Sequence, residues 1–313
     1  MTGTGAVLDR PFESSAMPEI DGAPARRDDR SQALHLCAER VARKGLESPR
    51  LSAVATQACR QASNGAEFIE RVRVGTGLQL RIIDPVEEAR LAVEGCLNLF
   101  DTAAEAILVV DVGGGSTELS WLRREEGRFR TVGWMSAPIG VVTLAERHPE
   151  PVSGHDQWFE AMVADMGIAL AVADVAPDLH AIFAGGRAHM VGTSGAITSL
   201  AGIHLGLDRY QRNRVDGLWM TRDDCERATG TLQALGPDGR AAEACIGPDR
   251  ADLVLAGAAI MAAVQRAWPC ERVRVADRGL REGLLLKRMR EDRRPARRRR
   301  NRGRGRPQPP AAT

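Results

Sequence analysis

Residues 106–122 read AILVVDVGGGSTELSWL. An apolar run carrying a single aspartate reads as a buried strand, three glycines interrupt it, and a second strand follows. A two-residue turn at Gly114 and Gly115 sets the register: Gly113 faces Ser116, Val112 faces Thr117, and Asp111 lies opposite Glu118. Two carboxylates in one cross-strand pair, with Cβ atoms about 5 Å apart, repel each other. The pairing makes most sense with a divalent cation between or beside them, and oxygen ligands suit Mg²⁺, which binds through one or two carboxylates plus phosphate oxygens. The glycines Gly113, Gly114 and Gly115 remove side chains, so that successive backbone N–H groups can turn toward one anion as a nest. The hydroxyls of Ser116 and Thr117 add donors. On its own, an aspartate followed by glycines also describes an ordinary hairpin turn.

Further segments work outward from this hairpin in a fixed order: AVATQACRQASNGAEF (53–68), IIDPVEEARLAVEG (82–95), GTSGAITSLAGIHLGL (192–207), RVDG (214–217) and VADRGLREGLL (275–285). With the glycine loop they resemble the exopolyphosphatase and guanosine pentaphosphate phosphohydrolase family (Ppx/GppA), from about residue 32 to about residue 290. The resemblance implies an α/β fold of the two-domain actin, sugar-kinase and Hsp70 (RNase H-like) type, with an interdomain cleft. It also implies hydrolysis of terminal phosphoanhydride bonds in inorganic polyphosphate or guanosine pentaphosphate, assisted by Mg²⁺ or another divalent cation. The shared motifs do not separate the two substrates.

The resemblance assigns roles as well. Glu88, the second glutamate of Glu-Glu-Ala-Arg-Leu, is the expected catalytic base; from the residues alone, Glu87 and Glu88 are equally first-turn acids favoured by a helix dipole. Arg60 is an expected phosphate contact, its planar fork suiting phosphate oxygens. Gly192, Thr193, Ser194 and Gly195 resemble a further phosphate loop, ahead of a helix whose first amides would face an anion. Asp111 and Glu118 are the expected metal ligands. For Arg278 and Glu282 no chemical role follows; a helix capped by Asp277 and docked on the first domain accounts for them.

Composition sets the frame. The 313 residues suffice for two cores, and with only 4% aromatics these must be built from Ala, Val, Leu and Ile. No apolar leader is visible at the N-terminus, and the longest apolar run, LVLAGAAIMAAV (253–264), is short of the ~20 residues of a membrane span and reads as a buried helix. Six scattered cysteines suggest neither zinc nor a disulfide framework, which fits a reducing cytoplasm. Of the scattered histidines, His189 is the one nearest a phosphate loop.

Along the chain, residues 1–31 read as loop or disorder, and helices fit 32–45, 65–74, 86–98 and 156–174. Strands fit 51–56, 78–83, 128–135 and 180–185, and a helix is expected just after Gly195. The expected first domain spans 32–103, with a helix at 280–290 packed on it, and the second spans 104–279. Residues 291–313 form a tail in which positions 293–313 carry nine arginines and no acid; without those nine, the formal charge of +2 becomes −7. The tail is either a polyanion-binding segment, for RNA, polyphosphate or a membrane surface, or a solvated end. A homodimer is what the family implies.

One departure stands out. Family members open with a strand and an Asp-x-Gly-x-x-Ser phosphate loop, and nothing here matches it. The nearest string, VLDRPFESS, has Asp9 and Ser15 but replaces the turn glycine with Arg10-Pro11, and proline removes a backbone donor. The first domain is therefore expected to be incomplete. A phosphate-binding protein without turnover is the alternative this raises; an actin-like ATPase or sugar kinase is a third reading, which the Glu-Glu-Ala-Arg-Leu and Asp-Arg-Gly-Leu-Arg-Glu-Gly segments oppose.

Overall fold

The computed structural model describes residues 24–46 and 51–293. The expectations for the Asp9 region and for residues 294–313 of the arginine tail lie outside the described residues, whereas residues 291–293 continue the last helix instead of opening the tail.

The first part of the chain is α1 (Pro24–Arg43), β1 (Ala53–Ala55), α2 (Gln57–Gln61), α3 (Gly65–Thr76), β2 (Leu80–Ile82) and α4 (Pro85–Cys96). Here β1 and β2 pair in parallel as a two-stranded sheet. The larger part is β3 (Ala106–Val112), β4 (Thr117–Glu125), β5 (Arg128–Ala137), α5 (Val141–Arg147), α6 (His155–Leu170), α7 (Pro177–Ala184), β6 (Ala188–Thr193), α8 (Gly195–His204), α9 (Arg212–Val215), β7 (Trp219–Thr221), α10 (Arg222–Ala242), α11 (Val254–Ala267), β8 (Arg272–Ala276) and α12 (Leu280–Arg293). Its six strands are ordered β5-β4-β3-β6-β8-β7. The central pairs β3–β6 and β6–β8 are parallel, and the hairpin strands and β7 are antiparallel.

Both faces of β3 are covered, which is why its sequence is a continuous apolar run instead of an alternating one. Leu108, Val110 and Val112 join Trp121, Met162, Leu200 and Ile260 in the main core. Ile107 and Val109 point the other way and meet Val93, Cys96, Leu99 and Val191. Side chains alternate along a strand, so Asp111 shares the face of Ile107 and Val109 and is turned toward α4. That parity fixes where the chemistry can occur.

α12 packs along α4. Small residues set the spacing: a Cβ on Gly283 would lie 1.9 Å from the Leu91 carbonyl oxygen, and one on Gly95 would lie 2.0 Å from the Gly279 oxygen. Among the described residues no helix is long and apolar enough to cross a membrane.

Three expectations need correction. The run at 180–185 is part of α7, not a strand: Pro177 opens the helix, and Leu179 and Phe183, four apart, are its buried pair. A short apolar run does not distinguish strand from helix by periodicity, and the strand is Ala188–Thr193 instead. α1 begins at Pro24, ahead of residue 32, because PARRDDRSQ has no apolar stripe to betray its first turns. Asp277 is not the cap of α12, which begins at Leu280. Its carboxylate accepts from the Tyr210 hydroxyl at 2.7 Å, and it is Glu282 that accepts from the Gly279 amide, at 2.9 Å.

Candidate active site

The hairpin register is as expected: Asp111 pairs with Glu118 and Val112 with Thr117, and the Gly113 amide donates to the Ser116 carbonyl at 2.8 Å. None of the three glycines has a left-handed φ. Space, not conformation, demands glycine here. A Cβ on Gly113 would lie 2.9 Å from the Ser116 oxygen, and one on Gly115 would lie 2.1 Å from Gln57 Oε1. From beneath, the first amides of α5 hold the loop by its carbonyls: Val141 donates to Gly113 at 2.9 Å and Val142 to Gly114 at 2.8 Å. With the carbonyls committed, the amides of Gly114, Gly115 and Ser116 have no protein acceptor among the described residues. Successive free N–H groups are the donor set an anion nest needs.

Glu118 is buried, and its Oε1 accepts from the Ser116 and Ser136 hydroxyls at 2.7 and 2.9 Å. These bonds orient the carboxylate without neutralising it. Burial, then the charge of Glu88, push its carboxyl up to about 7. Asp111, for the same two reasons in the same order, is pushed up to about 6. Thr117, in contrast, is turned away: its hydroxyl donates to the Ile139 carbonyl at 2.7 Å.

Glu88 reaches this pair from α4. Pro85 at the first helical position and the Asp84 carboxylate, which accepts from the Glu87 amide at 2.7 Å, start the helix where the sequence says it should. The two glutamates then separate. Glu87 is pinned by Arg81 and Lys287, at 2.6 and 2.9 Å, and these hydrogen bonds pull its carboxyl down to about 2. Glu88, buried, faces the hairpin and raises both of its acids. Arg60 Nη1 donates to Glu88 Oε2 at 2.8 Å and to the Ile83 carbonyl at 2.7 Å. Glu88, Asp111, Glu118 and Arg60 are thus brought together from α4, β3, β4 and α2.

The segment 192–195 is only partly a loop. Gly192 and Thr193 end β6; a Cβ on Gly192 would meet Ile197 at 3.0 Å, and the Thr193 hydroxyl donates to the Arg278 carbonyl at 2.6 Å. Ser194 has φ 86° and ψ −175°, a region that costs a non-glycine residue roughly 1–3 kcal/mol. Its hydroxyl donates to the Val112 carbonyl at 2.6 Å, which ties this turn to the glycine hairpin. Because that hydroxyl is used there, Ser194 does not cap α8, and the first amides of α8 remain available to an anion.

Two residues at the site carried no signal in the sequence. Arg250 is exposed, and its Nη1 would lie 3.9 Å from a Cβ on Gly195, so a guanidinium flanks the start of α8. Gln57 lies over Gly115. His189 proves to be a core residue: it is fully buried, its Nε2 accepts from the Asp101 amide at 3.1 Å, and burial lowers its pKa to about 4. Arg278 forms an ion pair with Asp216, and its carbonyl takes the Thr193 hydroxyl, which is a joint between β6 and the approach to α12.

The donor set fits a hard divalent cation that completes its shell elsewhere. Asp111 and Glu118 are opposed carboxylates, and among the described residues no cationic side chain pairs with either. Among the described residues no three His, Cys, Asp or Glu side chains could hold a metal by themselves. Water and phosphate oxygens would supply the remaining ligands, as Mg²⁺ prefers.

A six-stranded mixed sheet with a glutamate-bearing helix across it and a parallel two-stranded sheet in the first part of the chain is an α/β fold of the actin-like ATPase type. The chain belongs to the Ppx/GppA phosphatase family, which matches residues 23–292. Exopolyphosphatase 1 of Mycobacterium tuberculosis is 28% identical over 246 residues, 76% of this chain and 67% of that protein. The Mycobacterium leprae protein of the same name is 29% identical over 246 residues, 76% of this chain and 68% of its own. The crystal structure of the Aquifex aeolicus family member superposes with a TM-score of 0.66 at 26% identity, covering 87% of this chain and 83% of that one. An exopolyphosphatase from Cytophaga hutchinsonii shares the fold, with a TM-score of 0.73 at 21% identity over 86% and 83% of the two chains.

Proposed function

We propose that this chain is an exopolyphosphatase-type phosphohydrolase that removes the terminal phosphate of inorganic polyphosphate, with guanosine pentaphosphate as the second candidate substrate. The observation that carries the reading is the convergence of Glu88 with Asp111 and Glu118 beside two turns with free amides. The names of the mycobacterial relatives favour polyphosphate.

Glu88 acts as general base. Its Oε2 is held by Arg60, which fixes the carboxylate, while Oε1 has no protein donor among the described residues and can take a proton from water. The amides of Gly114, Gly115 and Ser116 receive the phosphoryl oxygens, and the first amides of α8 with Arg250 receive an adjoining phosphate. A divalent cation at Asp111 and Glu118 would offset the charge gathering on the transferring phosphoryl group. Glu118 stays aligned through Ser116 and Ser136. Arg60 lies close enough to exchange part of its contact with Glu88 for a phosphate oxygen when substrate enters.

Phosphate release from long-chain polyphosphate and from guanosine pentaphosphate, each with Mg²⁺ and with EDTA, tests the proposal. Metal-dependent release from polyphosphate supports it and ranks the two substrates. A folded sample that binds polyphosphate without releasing phosphate would make the chain a binding protein.

A further inference from the structure

The three glycines of the β3–β4 turn have ordinary φ angles, so each must be explained by what comes close to it. For Gly115 that is the end of one side chain. A Cβ there would lie 2.1 Å from Gln57 Oε1, 2.6 Å from Cδ and 2.9 Å from Nε2, so the whole Gln57 amide rests on the bare Cα. Gln57 is the first residue of α2, on the same short helix as Arg60. One helix therefore sends a guanidinium to Glu88 and an amide to the glycine turn.

The orientation of that amide is informative. Nε2 donates to Gln61 Oε1, one turn along α2, and this leaves Oε1 on Gly115. That oxygen borders the turn at Gly115 without accepting from the amides of Gly114, Gly115 or Ser116, so those amides stay open to a ligand that would come up against it. A phosphate in the turn would face that oxygen with like charge. Rotation about the last side-chain torsion removes the conflict, because it presents Nε2 to the phosphate. Gln61 is itself an amide and can donate as readily as it accepts, so the Gln57–Gln61 bond survives the rotation. No backbone movement is required.

We propose that Gln57 is a substrate-positioning residue whose side-chain amide turns its N–H onto the phosphoryl group held by the Gly114–Ser116 amides. The inference rests on the phosphate-site reading above and extends it to a residue on the opposing helix. Gln57 touches bound phosphate without taking part in proton transfer, so its loss affects binding more than chemistry. Losing one hydrogen bond to a charged group raises KM by about tenfold, with kcat changed by less than about threefold.

The test uses the full chain and three variants: Gln57→Ala, Gln57→Glu and Gly115→Ala. Two readouts are taken, steady-state phosphate release from polyphosphate and calorimetric binding of tripolyphosphate in Mg²⁺. Gln57→Ala should weaken binding about tenfold and leave kcat nearly intact. Gln57→Glu keeps the shape but fixes an anionic oxygen against the phosphate; its affinity should fall further at pH 8 and recover toward the wild-type value at pH 5, relative to the wild type at each pH. A side chain that only packs on the turn would show no such recovery. Gly115→Ala should weaken binding in the wild-type background and have a much smaller effect on top of Gln57→Ala, since the added methyl then meets no amide. Equal tripolyphosphate affinity for the wild type and Gln57→Ala overturns the inference whether or not the wild type turns over. Tripolyphosphate binding that depends on Gln57 but comes without turnover leaves the inference standing and defeats the hydrolase reading. No binding by the wild type at all defeats both.

Discussion

Raising the pH of the metal-free protein from 5 to 8 should withdraw the stabilisation that two protonated side chains give it, against the opposite response of His189, whose lowered pKa favours the fold as the pH rises. Asp111 and Glu118 titrate near 6 and 7 in the fold against ordinary values of 3.8 and 4.5. A carboxyl whose folded pKa is raised holds its proton longer in the folded state than in the unfolded one. Its contribution is therefore intact below about pH 4 and is lost as the pH climbs through the folded value. At about 1.4 kcal/mol per pKa unit, each carboxylate removes about 3 kcal/mol by pH 8, and the pair between about 3 and about 6. A divalent cation bound at the pair would reverse the loss, because it would bind the ionised carboxylates. The assay is urea unfolding at pH 5 and pH 8, with Mg²⁺ and with EDTA. In EDTA the free energy of unfolding should fall by more between the two pH values in the wild type than in Asp111→Asn, which keeps the His189 response but lacks one of the raised carboxyls, and Mg²⁺ should restore most of the wild type's loss at pH 8. Asp111→Asn should be more stable than the wild type at pH 8 in EDTA, by about 2–3 kcal/mol, and should lose most of the response to Mg²⁺. The same pH dependence in the wild type and Asp111→Asn in EDTA, or a destabilised Asp111→Asn under those conditions, would refute the picture of two uncompensated carboxylates in one site.

Other outcomes follow from the same geometry. Arg250→Ala should raise KM for polyphosphate by about tenfold without changing the melting temperature, because the side chain is exposed and lies beside the start of α8; an unchanged KM would remove it from the phosphate path. Gly283→Ala should cost about 1–3 kcal/mol in denaturant unfolding, since its Cβ would lie 1.9 Å from the Leu91 carbonyl oxygen and two helices must separate to admit it. Stability within about 0.5 kcal/mol of the wild type would show the α4–α12 seam to be looser than described.

The sequence was most readable where local pattern and structure share a cause. The pairing of Asp111 with Glu118 follows from a two-residue turn and period-two alternation, so it could be written down in advance. The helix carrying Glu88 announces itself through Asp84 and Pro85. The family resemblance distinguished Glu88 from Glu87, and the structure supplies a physical difference: Glu87 is taken by Arg81 and Lys287. Legibility failed where a role depends on distant partners. Nothing near Arg250 in sequence says that it flanks Gly195, and nothing near Gln57 says that it lies on Gly115. The reason for the glycines was also hidden, since sequence suggests special φ angles and the structure needs room for a neighbour. The 180–185 run reads as a strand because a short apolar run fits both periods, and the parallel pairing of Ala188–Thr193 with β3 decides against it.

In the proposed mechanism Glu88 performs proton transfer at a metal-dependent phosphate site, while Glu87 beside it only holds the fold. Turnover of polyphosphate by Glu88→Gln and Glu87→Gln, measured side by side in Mg²⁺ with tripolyphosphate binding as a control, tests this most directly. Glu88→Gln should bind and lose about 10²- to 10⁴-fold in kcat, and Glu87→Gln should keep kcat within a few-fold of the wild type and lose about 1–2 kcal/mol of stability above pH 5. Comparable turnover by the two variants, or a Glu88→Gln variant that retains wild-type kcat, would contradict it.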